Sequence, residues 1–331
     1  MESTEIIQNV LSWRHTKMGR NNESGFTLLE LMISLALGLI IVAAATQLFL
    51  TGLMSVNLQK AMADIQDSSN FGINYITTDL RKSNYNADKP EITNSTVYGG
   101  IVLSSANFPA DLNSLPNADL MTKSLSESTS TAKTNTASDQ LTVQFYADTE
   151  TFDCEGNTIS AGNMVVQRYF IQDGNLLCDA GFYPKVKPTE KDKDDVIKPY
   201  VLSGLNSHAQ ILMKNVEYMR ILLAVSVDKV PTDNIANDPM PANNIVQKNF
   251  RYIDVSDYPK TEPFPRVRGI QLGVLVRAND SVRISKELTD KNAASFNVLD
   301  KNISLKTKDS KFLRQVVTQT IALRNAMGAS S

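Results

Sequence analysis

The chain of 331 residues has only two histidines, His15 and His208, one tryptophan and two cysteines. That scarcity removes most of the side chains on which hydrolytic and metal-assisted chemistry is built. There is no Gly-x-Ser-x-Gly elbow, no His-Glu-x-x-His helix and no phosphate-cradling glycine loop, and His208 sits in a Ser-His-Ala-Gln turn context. The expectation is a protein that is not an enzyme and holds no cofactor. An excess of charge is lacking too: 33 Lys and Arg against 35 Asp and Glu leave a formal net charge of −2. Such a field gives no general attraction to nucleic acid. Two Asp-rich stretches, Asp192 to Asp195 and Asp228 to Asp238, have neither the ligand spacing nor the glycine of an EF-hand and read as solvated charge. Proline is missing from Phe26 to Asp88 and first occurs at Pro90, so nothing in that span interrupts a helix.

What fills the proline-free span begins with an apolar run from Gly25 to Leu53, in which Glu30 is the only ionisable side chain. Ser34, Thr46, Gln47 and Thr51 are mild interruptions, and the run exceeds the roughly 20 residues a helix needs to cross a bilayer core. A spanning helix is expected over residues 26–53. A carboxylate in such a segment costs about 2.5 to 3.5 kcal/mol at the helix centre and less near the interface. Glu30 therefore reads as functional, the alternative being a Glu tolerated at headgroup level. Upstream, Arg14, Lys17 and Arg20 mark a cytoplasmic side, because the acidic Glu2, Glu5 and Glu23 count little in orientation. The C-terminal bulk is expected to face the periplasm or the cell exterior.

Gly25-Phe26-Thr27-Leu28-Leu29-Glu30-Leu31-Met32 closely resembles the type IV prepilin signal. The resemblance implies a cut after Gly25 by a prepilin peptidase, N-methylation of Phe26, and use of Glu30 as the assembly carboxylate. Physically, a buried carboxylate is relieved by an opposite charge, and the new α-amino group of Phe26 on a neighbouring subunit is an available cation. A secretory signal would instead place a small-residue site after the apolar run and discard the run. Residues 1–25 are the expected leader. Met18 to Gly25, with Arg20, suffices for that role, so a start at Met18 is expected to serve as well as Met1.

Cys154 and Cys178 both fall in the exported part. In an oxidising compartment they most readily form one disulfide, worth roughly 3 to 4 kcal/mol in the chain-entropy account; two buried thiols are the alternative. A metal site is disfavoured, since that part has His208 alone and no Cys-x-x-Cys pair.

Beyond the apolar run, Met54, Leu58, Met62, Ile65, Ser69, Gly72, Ile76 and Leu80 recur at spacings of three or four, while Lys60, Asp64, Asp67, Asp79 and Arg81 fall elsewhere. This predicts an amphipathic half, residues 54–85, lying on a core. The whole helix, about 60 residues at 1.5 Å each, would approach 90 Å. Residues 86–331 alternate short apolar runs with turns, as an antiparallel sheet does. The expected strands are Gln140 to Ala147, Met164 to Gln172, Asn175 to Asp179, Lys214 to Val227, Arg266 to Ala278 and Phe312 to Arg324. Asp173-Gly174 predicts a hairpin that returns Cys178 beside the preceding strand. Thr122 to Ser138, Pro184 to Pro199 and Pro231 to Asn244 read as surface loops, and Leu272 to Val276 suits a strand covered on both faces. The fold class is α+β.

Three later stretches narrow the resemblance to PilW-type minor pilins of the type IV pilus. Val216-Glu217-Tyr218-Met219-Arg220-Ile221-Leu222 looks like their Val-Glu-x-apolar strand, Val267 to Arg277 resembles their strand ending in Leu-Val-Arg, and Val316 to Asn325 is similar to their closing Thr-x-apolar-x-Leu-Arg-Asn strand. Where the family has Tyr-Gly-apolar-Asp, this chain has Leu223-Ala224-Val225-Ser226, with Asp228 two residues late, and a different turn is expected there. The resemblance implies a pilin-like head on a long helix and a part in initiating pilus assembly in a tip complex. It also implies the partners: other minor pilins, the major pilin, a tip adhesin, the prepilin peptidase and the inner-membrane assembly platform. A pseudopilin of type II secretion is the first rival, and a membrane-anchored periplasmic binding module or enzyme the second.

Overall fold

The computed structural model describes residues 25–112, 120–125, 133–187, 189, 200–205, 209–228, 248–282, 295–306 and 311–326. The expected leader with Met1, Met18 and Arg20, His208, the Asp192 to Asp195 run and most of Asp228 to Asp238 lie outside the described residues. In chain order the elements are α1 (Leu28–Lys82), β1 (Lys123–Ser124), β2 (Asp139–Tyr146), β3 (Thr151–Phe152), β4 (Thr158–Ile159), β5 (Asn163–Gln172), β6 (Asn175–Pro184), β7 (Gln210–Lys214), β8 (Val216–Asp228), β9 (Lys248–Asp254), β10 (Arg266–Ser281), β11 (Phe296–Val298), β12 (Lys301–Ile303) and β13 (Phe312–Ala322). Short 3-10 turns follow Ser104, Asp254 and Leu323.

The chain divides into two units, Met1–Leu53 and Met54–Ser331. In the first, every described side chain is exposed, and an 18-residue window of α1 reaches a mean hydropathy of 2.5. A helix apolar on all sides and of that length is able to cross a membrane.

In the second unit, α1 buries Ala61, Ile65, Ser69, Gly72, Ile73, Ile76, Thr77, Asp79 and Leu80. The expected stripe holds from Ile65 to Leu80. It fails at Met54 and Met62, each 44% exposed, where Ala61 takes the place of Met62 against the core and Leu58 packs there in part. Asp79, expected on the wet side, is only 3% exposed. Gly72 allows close approach: a Cβ there would lie 3.0 Å from Met213 Cε on β7.

Two antiparallel sheets carry the head, one in the order β1-β2-β5-β6-β7 and the other β13-β10-β8-β9, with β3-β4 and β11-β12 as small hairpins. Ile65, Ile76 and Leu80 of α1 share one core with Leu141, Val143, Tyr169 and Ile171 of the first sheet and Ile221, Leu223, Leu272 and Val274 of the second. Burying a single Leu or Ile contributes about 1.5 to 3 kcal/mol, so this shared core is the main cohesion of the unit. The β11-β12 hairpin backs the second sheet, where Val298 and Ile303 pack on Tyr218 and Leu275. Leu272 to Val276 is thus covered on both faces, as its unbroken apolar run anticipates.

The architecture is α+β, as expected. β2 and β5 match their predicted spans to within a residue, and Asp173 (φ 52°) and Gly174 (φ 73°) form the left-handed pair that a two-residue hairpin requires, setting Cys178 opposite Tyr169. Other spans differ. β6 runs on to Pro184, with Gly181 admitting the Ser203 carbonyl to 2.6 Å of where a Cβ would stand. The stretch from Lys214 to Val227 is two strands, because Asn215 (φ 58°) breaks β7 from β8. β8 continues to Asp228, and the chain beyond it, where a different turn is expected, lies outside the described residues. The last strand stops at Ala322, where the chain tightens into Arg324–Ala326. Thr122, Thr134 and Ser138, expected in a surface loop, are buried.

Candidate functional site

The helix starts beside the Gly25-Phe26 junction, and its first turn is self-capped. Thr27 Oγ1 accepts the Glu30 N–H at 3.2 Å, while Glu30 Oε2 accepts the Thr27 N–H and hydroxyl, each at 3.1 Å. This is a capping box, with Thr27 as the cap and Glu30 three residues on. It holds the carboxylate at the positive pole of α1, one turn from Phe26, whose ring is 86% exposed. Gly25, Phe26 and Glu30 are therefore grouped at one helix end, and Thr27, not anticipated from sequence, fixes the carboxylate among them.

Of the two possibilities for the cysteines, the structure has the pair: Cys154 is bonded to Cys178 across a Cα separation of 6.1 Å. The bond staples the turn between β3 and β4 to β6, and next to it Glu155 Oε1 accepts the Ala180 N–H at 3.0 Å. From there a buried polar chain reaches α1. The Gln167 amide, nitrogen toward the helix, donates to Asp79 and to the Tyr169 hydroxyl and accepts the Cys154 N–H at 3.3 Å. Tyr169 donates to Asp79 in turn, and Lys82 Nζ lies 3.6 Å away. Burial pushes the Asp79 carboxyl pKa up, with Tyr169 and Lys82 opposing. Replacing Cys154 and Cys178 by serine should lower head stability by about 3 kcal/mol. Thermal unfolding of the detergent-solubilised chain measures this, and an unchanged melting temperature would show that the staple is dispensable.

A second cluster, around Arg220, joins both sheets. This strand residue is 2% exposed. Its Nη1 donates to Asp139 of β2 (3.1 Å), its Nη2 to Asp254 of β9 (2.6 Å) and Asp300 of the β11-β12 turn (2.8 Å), and its Nε to Asp300 (2.8 Å). Asp139 also accepts the Ile221 N–H at 2.8 Å. All the guanidinium nitrogens are engaged, so the cluster is a clasp rather than an anchor for a ligand, although it floors a groove of about 320 Å³. A buried ion pair is held together only by such complete partnering. Glu217 makes a smaller clasp across the second sheet, taking two bonds from Arg314 (2.7 and 3.2 Å) with Arg277 at 3.6 Å. Among the described residues no group of His, Cys, Asp or Glu is arranged to hold a metal ion.

The clasp has a pH signature. Burial pushes the Asp139 carboxyl up to about 6 against the pull of Arg220, while Arg220 holds Asp254 and Asp300 below the usual carboxylate range. From pH 7 to about 5 the folded chain takes up a proton at Asp139 that the unfolded chain does not, so stability is kept or rises. Below about 4, protonation of Asp254 and Asp300 removes the stability they supply. The melting temperature should hold or climb from pH 7 to 5 and then drop steeply; a monotonic fall beginning at pH 7 would contradict this assignment.

Sequence reading missed Arg220 and Asp79 as organising residues. An arginine inside the apolar run Tyr218-Met219-Arg220-Ile221-Leu222 was one signal. The other was azimuth, since Asp79 follows Gly72 of the apolar stripe by about two helical turns and so points nearly the same way.

Among known families, the model described as Type IV Pilus-assembly protein W matches residues 168–325, and the prokaryotic N-terminal methylation motif matches residues 20–46. No curated protein matches. Among solved structures, the Type IV-like pilin TTHA1219 from Thermus thermophilus aligns at 12% identity over 79% of this chain and 96% of its own, with a TM-score of 0.34.

Proposed function

Because the chain is a PilW-type type IV pilin, we propose that it is a minor pilin that initiates pilus assembly in a complex at the filament tip. It is cut after Gly25 by the prepilin peptidase and methylated at Phe26. Residues 26–53 then hold it in the inner membrane with the head in the periplasm. The observation that carries this reading is the junction itself, with Glu30 capped by Thr27 at the start of an apolar helix. Residues 54–85 form the helix half that lies on the head, and residues 86–331 the rest of the head. Two sheets of five and four strands make a bulky subunit for dense helical stacking, which favours a scarce terminal position. There it would meet other minor pilins, the major pilin, a tip adhesin and, before extraction, the inner-membrane assembly platform. Mass spectrometry of sheared pili tests both parts together. The expected N-terminal peptide starts at methyl-Phe26, and the chain is far below the major pilin in amount. Retention of residues 1–25, or stoichiometry like that of the major pilin, would overturn the reading, and a deletion that spares pili but stops exoprotein export would assign the chain to type II secretion instead.

A further inference from the structure

The apolar stripe of α1 fixes which face of the helix meets the sheets but, apart from the close approach of Gly72 to Met213, says little of its axial position. Ile65, Ser69, Gly72, Ile76 and Leu80 repeat at helical spacing, so a slide of one turn, about 5.4 Å, places each near the former position of the next. Uniqueness has to come from groups that do not repeat.

Two such groups stand at the C-terminal end of α1. One is Asp79, received by Tyr169 and Gln167. The other is a reciprocal pair of amides from opposite ends of the head. Asn325, just past β13, donates through Nδ2 to the carbonyls of Arg81 (3.1 Å) and Ser83 (3.0 Å), which closes a helix end whose last carbonyls lack intrahelical partners. Asn84, left-handed at φ 61°, donates back to the Asn325 carbonyl at 3.1 Å and to Pro90 O at 3.1 Å, and its Oδ1 accepts the Gly100 N–H at 3.2 Å. Gly100 admits this contact: a Cβ there would lie 2.2 Å from the Asn84 nitrogen. Around the pair the chain is held firmly, with Leu323 N–H on Arg268 O at 2.9 Å and the Arg268 guanidinium on the Ala326 carbonyl.

We infer that α1 is registered on the head by this amide lock together with Asp79, which makes Asn84, Asn325 and Asp79 positioning residues. A neighbouring subunit meets a surface made jointly by α1 and the strands, and the lock gives every copy the same surface. That consequence for assembly rests on the minor-pilin reading, whereas the register itself does not.

Cross-linking of the purified full chain in detergent separates registry from stability. The pair Gly72→Cys with Met213→Cys reports the native register. Ser68→Cys or Ile76→Cys with Met213→Cys reports a slide of one turn either way. With no other change only the native pair should form. Asn84→Gly keeps the left-handed backbone and loses the amide, and Asn325→Asp keeps the shape and loses the donor; each should bring up a shifted pair. Asp79→Leu combined with Asn325→Asp should stay folded, since it extends the apolar stripe, yet raise the shifted pair at least about tenfold, as the loss of several hydrogen bonds allows. If every folded variant forms the native pair alone, even with a lowered melting temperature, the inference is overturned. Should Asn325→Asp fail to accumulate, Asn84→Gly carries the same test. No filaments are needed, so a failure here is distinct from a failure of the minor-pilin reading.

Discussion

Replacing Glu30 by alanine should leave the chain inserted and its head folded while surface pili fall to the level of a deletion strain. Removing a carboxylate from a membrane helix does not impede spanning, and the lost capping box costs the first turn only about 0.5 to 2 kcal/mol. What disappears is the negative charge proposed to meet the α-amino group of Phe26 on the next subunit. Glu30→Gln separates the two roles, because glutamine also serves in a capping box but brings no charge to a cation. It should fail as completely as alanine. Thr27→Ala does the reverse, weakening the cap while keeping the carboxylate, and should be mild. Counting sheared pili against cellular amounts of the chain reads all three. Full piliation with Glu30→Gln would reduce Glu30 to a helix cap.

The second large effect belongs to Arg220. Arg220→Met preserves much of the side-chain length but leaves Asp139, only 1% exposed, without its cation and Asp254, among the described residues, with Lys301 alone at 3.7 Å. Uncompensated buried charge of this kind costs about 3 to 5 kcal/mol. For a unit of this size that lowers the melting temperature by roughly 10 °C. The penalty should shrink as pH falls, because Asp139, already pushed up by burial, rises further once the Arg220 cation that opposes burial is gone and so takes a proton more readily. Adding Asp139→Asn should recover part of the loss, whereas Asp300→Asn alone, at a 40% exposed side chain that water reaches, should cost less than Arg220→Met. A melting temperature within 2 °C of the parent for Arg220→Met would remove the clasp from the account of stability.

The parts legible in the sequence were those whose physics is local. The long helix followed from an absence of proline and a change from uniform to periodic apolar residues. β2, β5 and their hairpin followed from alternation and an Asp-Gly turn. β9 was not legible because Asn249-Phe250-Arg251-Tyr252 alternates over only four residues, at the lower limit of what marks a half-buried strand. The β11-β12 hairpin has three residues per strand, too few to show a period. The polar clusters were hidden for another reason. Asp139, Arg220, Asp254 and Asp300 come from four separate stretches and acquire meaning only when the sheets meet, and Asn84 and Asn325 are ordinary surface residues until the chain's two ends are brought together.

That last distance has a consequence in time. The amide of Asn84 closes on a residue 241 positions later, and α1 is covered by strands drawn from nearly the whole chain between. Contacts of such long sequence separation make folding slow, and synthesis delivers the N-terminal part first. Ile65, Ile76 and Leu80 must wait, wet and adhesive, until the strands that cover them, β10 among the last, have emerged and paired. The interval between the appearance of α1 and the arrival of Asn325 is the window in which chaperones and proteases compete for this chain, and its length governs how many copies survive to be used.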